Sequence, residues 1–178
     1  MTDLAPLHAK AREILDNAGA AGFMVTAAES CTGGMVSAAL TELAGSSAVF
    51  ERGFITYSNE AKMDMLGVPA AMLKEHGAVS SVVARAMAES ALLHSRADLA
   101  VSITGIAGPG GGTVDKPVGL VHFAIAGRYS GIIQFVEDFV KNFLVSDRSQ
   151  IRMNAAGFAL EILSNSINSL REILTRKL

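Results

Sequence analysis

Apolar positions along this chain alternate between a helical spacing and short unbroken runs. Leu7, Ala11, Ile14, Leu15 and Ala18 share one face of a helix from Leu4 to about Ala20. Gly22 ends that connection, and Phe23 to Ala28 is short and apolar enough for a buried strand. Thr32 to Leu43 reads as a helix packed closely through Met35, Ala38, Ala39 and Ala44, and Gly45-Ser46-Ser47 breaks it. Val49 to Tyr57 is a second strand. Ser58 caps a short helix that runs through Leu66, with Glu60 in its first turn; Pro69 starts the next helix and Gly77 stops it. Ser80 or Ser81 caps a helix whose apolar line is Val83, Met87 and Ala91, and Asp98 to Thr104 forms a third strand.

Beyond that strand lies a loop from Gly105 to Pro117 carrying five glycines and two prolines. Val118 to Ala126 and Ile132 to Leu144 then read as a hairpin around Gly127-Arg128-Tyr129-Ser130-Gly131. Ser146 or Asp147 caps a last helix with Ile151, Ala155, Phe158, Ile162, Leu163, Ile167, Leu170 and Leu174 on its stripe. About 28 residues at about 1.5 Å each would make it about 42 Å long, longer than a domain of this size is wide. Either its end frays or packs on a partner chain, or the helix stops near Ser164-Asn165-Ser166. Helices alternating with strands, followed by a hairpin, predict one domain over residues 1–178. Its expected fold is α/β, a three-layer α/β/α sandwich with a mixed, mainly parallel sheet. Strand order does not follow from the pattern.

Composition narrows the classes. Half of the 178 residues are hydrophobic and 18% are charged, which is the balance of a well-packed globular chain. Fifteen basic against seventeen acidic residues, with no basic block, give no electrostatic footprint for nucleic acid. No run approaches a membrane span, and Met1-Thr2-Asp3 does not open a signal peptide, so a cytoplasmic protein is expected. A single cysteine fits a reducing compartment.

Two segments are chemically conspicuous. Ser30, in Ala28-Glu29-Ser30-Cys31-Thr32-Gly33-Gly34, stands where a strand meets a helix, beside backbone N–H groups that can accept an oxyanion or a phosphate. The same position suits a plain helix cap, and Cys31 is a rival nucleophile. The second segment, Ser102 to Thr113, follows a strand, so it lies at the carboxyl edge of an open α/β sheet where ligands bind. It lacks the Gly-Lys-Ser/Thr of a phosphate-binding loop and the full dinucleotide fingerprint, and a long surface turn fits it equally. The four histidines, His8, His76, His94 and His122, have no mutual ligand spacing, so neither a metal nor another cofactor is expected. No histidine lies near Ser30 in sequence to suggest a Ser-His-Asp triad.

The Ser30 segment, Gly45-Ser46-Ser47, Tyr57-Ser58-Asn59-Glu60-Ala61-Lys62, Leu66-Gly67-Val68-Pro69 and Glu75-His76-Gly77-Ala78-Val79-Ser80 follow one another in a recognisable order. So do Thr104 to Gly111, Lys116-Pro117-Val118-Gly119 and Asp147-Arg148. Together these blocks, from roughly Leu7 to Leu163, resemble the C-terminal domain of the competence/damage-inducible CinA family. The resemblance implies a metal-free amidohydrolase that converts nicotinamide mononucleotide and water to nicotinate mononucleotide and ammonia. It implies Ser30 as the nucleophile, with Lys62 and Tyr57 as activating partners. It also implies that Glu29, Thr32, Gly33, Gly34, Asn59, Thr104, Gly105, Gly108 and Arg148 hold the nucleotide. Many relatives carry a further N-terminal domain, and only the amidohydrolase part is expected here. Ser146 stands where relatives often have glycine.

This chemistry makes a quantitative demand. At an ordinary pKa of about 10.4, a lysine is neutral in about one molecule in 2,500 at pH 7, so Lys62 needs burial or nearby positive charge to act as a base. Tyr57 could relay the proton or merely orient the lysine. Two other readings remain: a nucleotide-binding module without catalysis, and an oligomerisation module built on the last helix. The expected partners are a small nucleotide and a second copy of the chain, a dimer being favoured.

Overall fold

The computed structural model describes residues 3–144 and 147–175. The first strand, β1 (Val25–Glu29), is an interior strand of a five-stranded sheet, buried at every residue as its apolar run predicts. β2 (Phe50–Ile55) and β3 (Leu99–Gly105) flank β1, both parallel to it. β4 (Leu120–Tyr129) runs antiparallel to β3, and β5 (Ile132–Asn142) antiparallel to β4, giving the order β2-β1-β3-β4-β5. Four of the five strands therefore point the same way, which is the mixed, mainly parallel sheet expected.

One face of the sheet is covered by α1 (Ala5–Ala21), α2 (Met35–Thr41) and α6 (Arg148–Thr175), over a core that includes Leu7, Ile14, Leu40, Val101, Phe123 and Leu160. On the other face lie α3 (Asn59–Leu66), α4 (Ala70–His76) and α5 (Ser81–Leu93), over Phe54, Leu66, Leu73, Met87 and Leu92. The caps are where the sequence put them. The Ser58 hydroxyl accepts from Ala61 N–H, Ser80 (not Ser81) accepts from Val83 N–H, and Pro69 and Gly77 bracket α4.

Three expectations change. The helix predicted from Thr32 starts only at Met35, because Gly33 and Gly34 (φ 60° and 96°) hold residues 31–34 in a turn. The hairpin is tighter than the predicted five-residue loop: Tyr129 pairs directly with Ile132, and the turn is Ser130-Gly131 with Ser130 itself left-handed at φ 49°. The last helix does not stop near Ser164, and its far end to Leu170 packs within its own chain. Ser164 Oγ donates to Glu13 Oε1 on α1 (2.8 Å) and Ser166 Oγ to Ile162 O (2.8 Å), so both serines are buried and partnered and the stretch is no break. Asp147 Oδ1 accepts from Gln150 N–H (2.8 Å) and so caps α6, while Ser146 lies outside the described residues.

The register matters most for function. Glu29 at the end of β1 pairs with Ile55 on one side and Ile103 on the other, so the three parallel strands finish at one edge. The segments at Ser30, at Thr56 to Ser58 and at Gly105 onward leave that edge side by side.

Candidate active site

Ser30 is the first residue beyond β1. Its N–H donates to Ile103 O (2.9 Å), and its carbonyl accepts from Gly33 N–H (3.0 Å), closing a turn that leaves the side chain 8% exposed. The carboxyl group of Glu29, fully buried, points the other way. It accepts from the N–H groups of Gly34 (3.0 Å), Val36 (3.2 Å) and Ser37 (2.8 Å) and from Ser37 Oγ (2.7 Å). The expectation that Glu29 meets the nucleotide is corrected by this geometry: it caps α2 from within, and the N-terminus of α2 is already occupied by an acidic group. Glu29→Ala should strand several buried donors and destabilise the fold by about 2–4 kcal/mol, read from urea unfolding. A loss under about 0.5 kcal/mol, the range of an ordinary surface change, would contradict this account.

Lys62 comes from the opposite side of the sheet. Ser58 fixes the start of α3, and one turn later the Lys62 side chain enters the protein at 1% exposure. Its Nζ donates to Ser30 Oγ (3.0 Å) and to the carbonyls of Thr56 (2.8 Å) and Ser58 (3.5 Å). Burial holds its pKa below the ordinary lysine value, partly opposed by Cys31 and Glu60 nearby. Cys31 itself is 6% exposed, and burial pushes its thiol up to about 12. Burial keeps that thiol protonated at neutral pH, and the Lys62 amine is bonded to the Ser30 hydroxyl rather than to it.

Ser30, Cys31, Lys62, Tyr57, Asn59, Thr104, Gly105, Gly108 and Arg148 line one pocket of about 290 Å3, closed at the back by Ala78 and Val79. Tyr57, 58% exposed, sits on that wall without reaching the Ser30–Lys62 pair. Its hydroxyl accepts from Arg148 Nη2 (2.8 Å) instead, and Arg148 Nη1 donates to Gly108 O (2.6 Å). Where a proton relay to Ser30 or an orienting contact with Lys62 was expected of Tyr57, the structure shows a strap with Arg148 beside the pocket. It ties α6 to the glycine loop and to the exit of β2. Thr104 Oγ1 donates to Ala78 O (2.8 Å), tying the end of β3 to the rear wall.

Gly105 is required by packing. A Cβ there would lie 2.8 Å from Leu120 O and 2.9 Å from Val121 Cα, both backbone atoms that cannot swing aside. Thr32, Gly33 and Gly34 are not on the pocket wall. The glycines shape the turn, and Thr32 is wholly buried, its Oγ1 having no partner among the described residues.

Two basic residues to which the sequence assigned no role hold the site together, Arg152, which stood in none of the ordered motifs, and Lys116, which stood in one. Arg152 Nε donates to Cys31 O (3.1 Å) and its Nη2 to Thr32 O (2.8 Å). Lys116 Nζ donates to His76 O (2.9 Å) and Val79 O (2.8 Å), fixing the rear wall. The i,i+4 spacing of Arg152 from Arg148 was the available signal, since it puts both guanidinium groups on one face of the helix. Among the described residues no cluster of His, Cys, Asp and Glu is placed to hold a metal ion, and no helix is long and apolar enough to cross a membrane.

Comparison with known proteins identifies the family. The family model of the CinA C-terminal domain matches residues 7–167. A nicotinamide-nucleotide amidohydrolase PncC of Escherichia coli K12 is 52% identical over 145 residues, 81% of this chain and 84% of that protein. The PncC of Enterobacter agglomerans is 46% identical over 155 residues, covering 87% and 92% of the two chains. Other relatives are longer: the match to a CinA-like protein of Geotalea daltonii, 47% identical, spans only 35% of its length. The crystal structure of the competence/damage inducible protein CihA from Agrobacterium tumefaciens superposes with a TM-score of 0.83 at 48% identity, over 91% of this chain and 95% of that one. With fold, ordered motifs and family model in agreement, the chain belongs to the CinA C-terminal domain family.

Proposed function

We propose that this protein hydrolyses the carboxamide of nicotinamide mononucleotide, giving nicotinate mononucleotide and ammonia, with Ser30 as nucleophile and Lys62 as its base. The observation that carries the reading is the buried Lys62 Nζ 3.0 Å from Ser30 Oγ on the wall of a pocket of about 290 Å3. Relatives that share most of the chain bear the name nicotinamide-nucleotide amidohydrolase. Burial supplies the lowered lysine pKa that an amine base needs near neutrality.

In this mechanism neutral Lys62 takes the Ser30 hydroxyl proton as Oγ attacks the carboxamide carbon. The resulting oxyanion is met by backbone N–H at the turn after Ser30. Lys62 returns the proton to the departing nitrogen, so ammonia leaves and a nicotinoyl ester of Ser30 remains. Water then attacks the ester, Lys62 accepts its proton, and nicotinate mononucleotide leaves with Ser30 reprotonated. Because Glu29 fills the start of α2, the phosphate falls to the other side of the pocket, where Asn59, Thr104, Gly105, Gly108 and Arg148 lie. Tyr57 orients Arg148. The product carries a carboxylate in place of the amide, and the role we propose for the reaction is in pyridine nucleotide recycling.

Incubation of the purified protein with nicotinamide mononucleotide should yield nicotinate mononucleotide by mass spectrometry, with one equivalent of ammonia. Saturable binding without product on prolonged incubation would instead identify a non-catalytic nucleotide-binding module.

A further inference from the structure

We infer that Arg152 is a positioning residue for the hydrolytic step. Through two peptide groups it fixes and polarises the Cys31 N–H, to which we assign the oxyanion. The inference rests on the reading of Ser30 as nucleophile. A trans peptide is planar, and its C=O and N–H point in opposite directions. Arg152 Nη2 holds Thr32 O at 2.8 Å, which fixes the plane of the Thr32–Gly33 peptide. The N–H on the far side of that peptide, Gly33 N–H, donates to Ser30 O at 3.0 Å. That bond in turn fixes the Ser30–Cys31 peptide, whose own N–H belongs to Cys31, a residue of the pocket wall.

The guanidinium charge therefore stands at the head of a continuous chain: Arg152, Thr32 O, Gly33 N–H, Ser30 O, Cys31 N–H. Hydrogen bonds in series polarise one another, so a cation at one end makes the terminal N–H a better donor. The second bond, Arg152 Nε to Cys31 O (3.1 Å), fixes the next peptide and prevents the turn from rotating as a unit. A fixed donor aimed at developing charge is worth more in the transition state than in the ground state, so the arginine should act on kcat and leave substrate binding nearly unchanged. Arg148, one helical turn earlier, contacts the pocket mouth instead and should act on KM.

The test compares wild type with Arg152→Gln and Arg152→Lys. Arg152→Gln should lower kcat by about 10- to 100-fold with KM changed less than about threefold, short of the loss seen when an oxyanion donor is removed outright. Arg152→Lys, which keeps the charge but not the forked geometry, should recover part of the loss. In 1H–15N spectra of the unliganded protein, the Cys31 amide proton should move upfield in Arg152→Gln and less in Arg152→Lys. This measurement does not depend on turnover, so it separates the inference from the proposed reaction: a wild type that makes no product defeats the reaction, whereas an unmoved Cys31 amide defeats the arginine chain. Unchanged kcat, or a loss confined to KM, would also overturn it. Should Arg152→Gln fail to fold, the Lys variant carries the same comparison of kcat, KM and amide shift.

Discussion

Ser30→Ala should abolish product formation, by about 10,000-fold or more, the scale seen when a hydrolase nucleophile is removed, while the protein still binds nicotinamide mononucleotide. The fold should survive because the change deletes one oxygen at a nearly buried position whose backbone is held independently through Ile103 and Gly33. Lys62 Nζ would keep the Thr56 and Ser58 carbonyls as acceptors, so the stability loss should stay near about 1 kcal/mol, that of one hydrogen bond. Mass spectrometry of the wild type quenched during turnover should show a nicotinoyl adduct on the peptide containing Ser30, absent from the variant. Retention of more than a tenth of wild-type turnover by Ser30→Ala would mean that Lys62 activates water directly, and Ser30 would leave the mechanism.

Lys62→Met should be as inactive as Ser30→Ala, and the double variant no worse than either, because nucleophile and base act as one unit. Its effect on stability is more distinctive. Burial lowers the folded-state pKa of Lys62, so the unfolded chain binds that proton more tightly. Between the folded pKa and the unfolded value of about 10.4, wild-type stability therefore rises with pH, and below the folded pKa the penalty is complete. Lys62→Met has no such proton. Its stability should be flatter across this window, and it should gain on wild type as the pH falls. Urea unfolding at several pH values from neutrality upward measures this directly. A difference between variant and wild type that stays constant with pH would show that Lys62 is charged in the folded protein and unsuited to act as a base. The same titration governs activity: kcat/KM should rise with pH, with its midpoint below the ordinary lysine pKa.

The destabilising lysine also explains the local construction. Removing a cation from water is unfavourable unless hydrogen bonds replace the lost hydration, and here two backbone carbonyls and one hydroxyl surround Nζ. Those carbonyls belong to Thr56 and Ser58, which leave β2 where its pairing with β1 ends. The site is thus a by-product of strand termination: backbone acceptors no longer used by the sheet hold the amine.

Much of this was legible along the chain. β1 and β3 are buried strands because their apolar runs are short and unbroken, and α1 because its apolar residues recur at helical spacing. Ser58, Ser80, Pro69 and Gly77 delimit their helices through bonds and backbone angles set within a few residues. Ser30 stood out as a strand–helix junction, and the ordered motifs added Lys62. The helix predicted from Thr32 was too long because its apolar pattern continues through a turn that Gly33 and Gly34 and the Glu29 carboxyl hold open.

Only the tertiary structure decided which polar groups meet. Glu29 is an acidic residue beside Ser30 in sequence, yet it faces α2. Tyr57 is near Lys62 in the chain, yet it bonds Arg148, 91 positions away. Arg152 reaches Thr32 across 120 positions and had no signal beyond its spacing from Arg148. Periodicity and capping are local properties, fixed by 3.6-residue and 2-residue repeats and by a few backbone hydrogen bonds. Strand order, and with it the edge where Ser30, Lys62 and Arg152 converge, depends on long crossovers that no local pattern encodes. The sequence determined the elements and offered the serine; the sheet order determined that a buried lysine and a bracing arginine stand on either side of it.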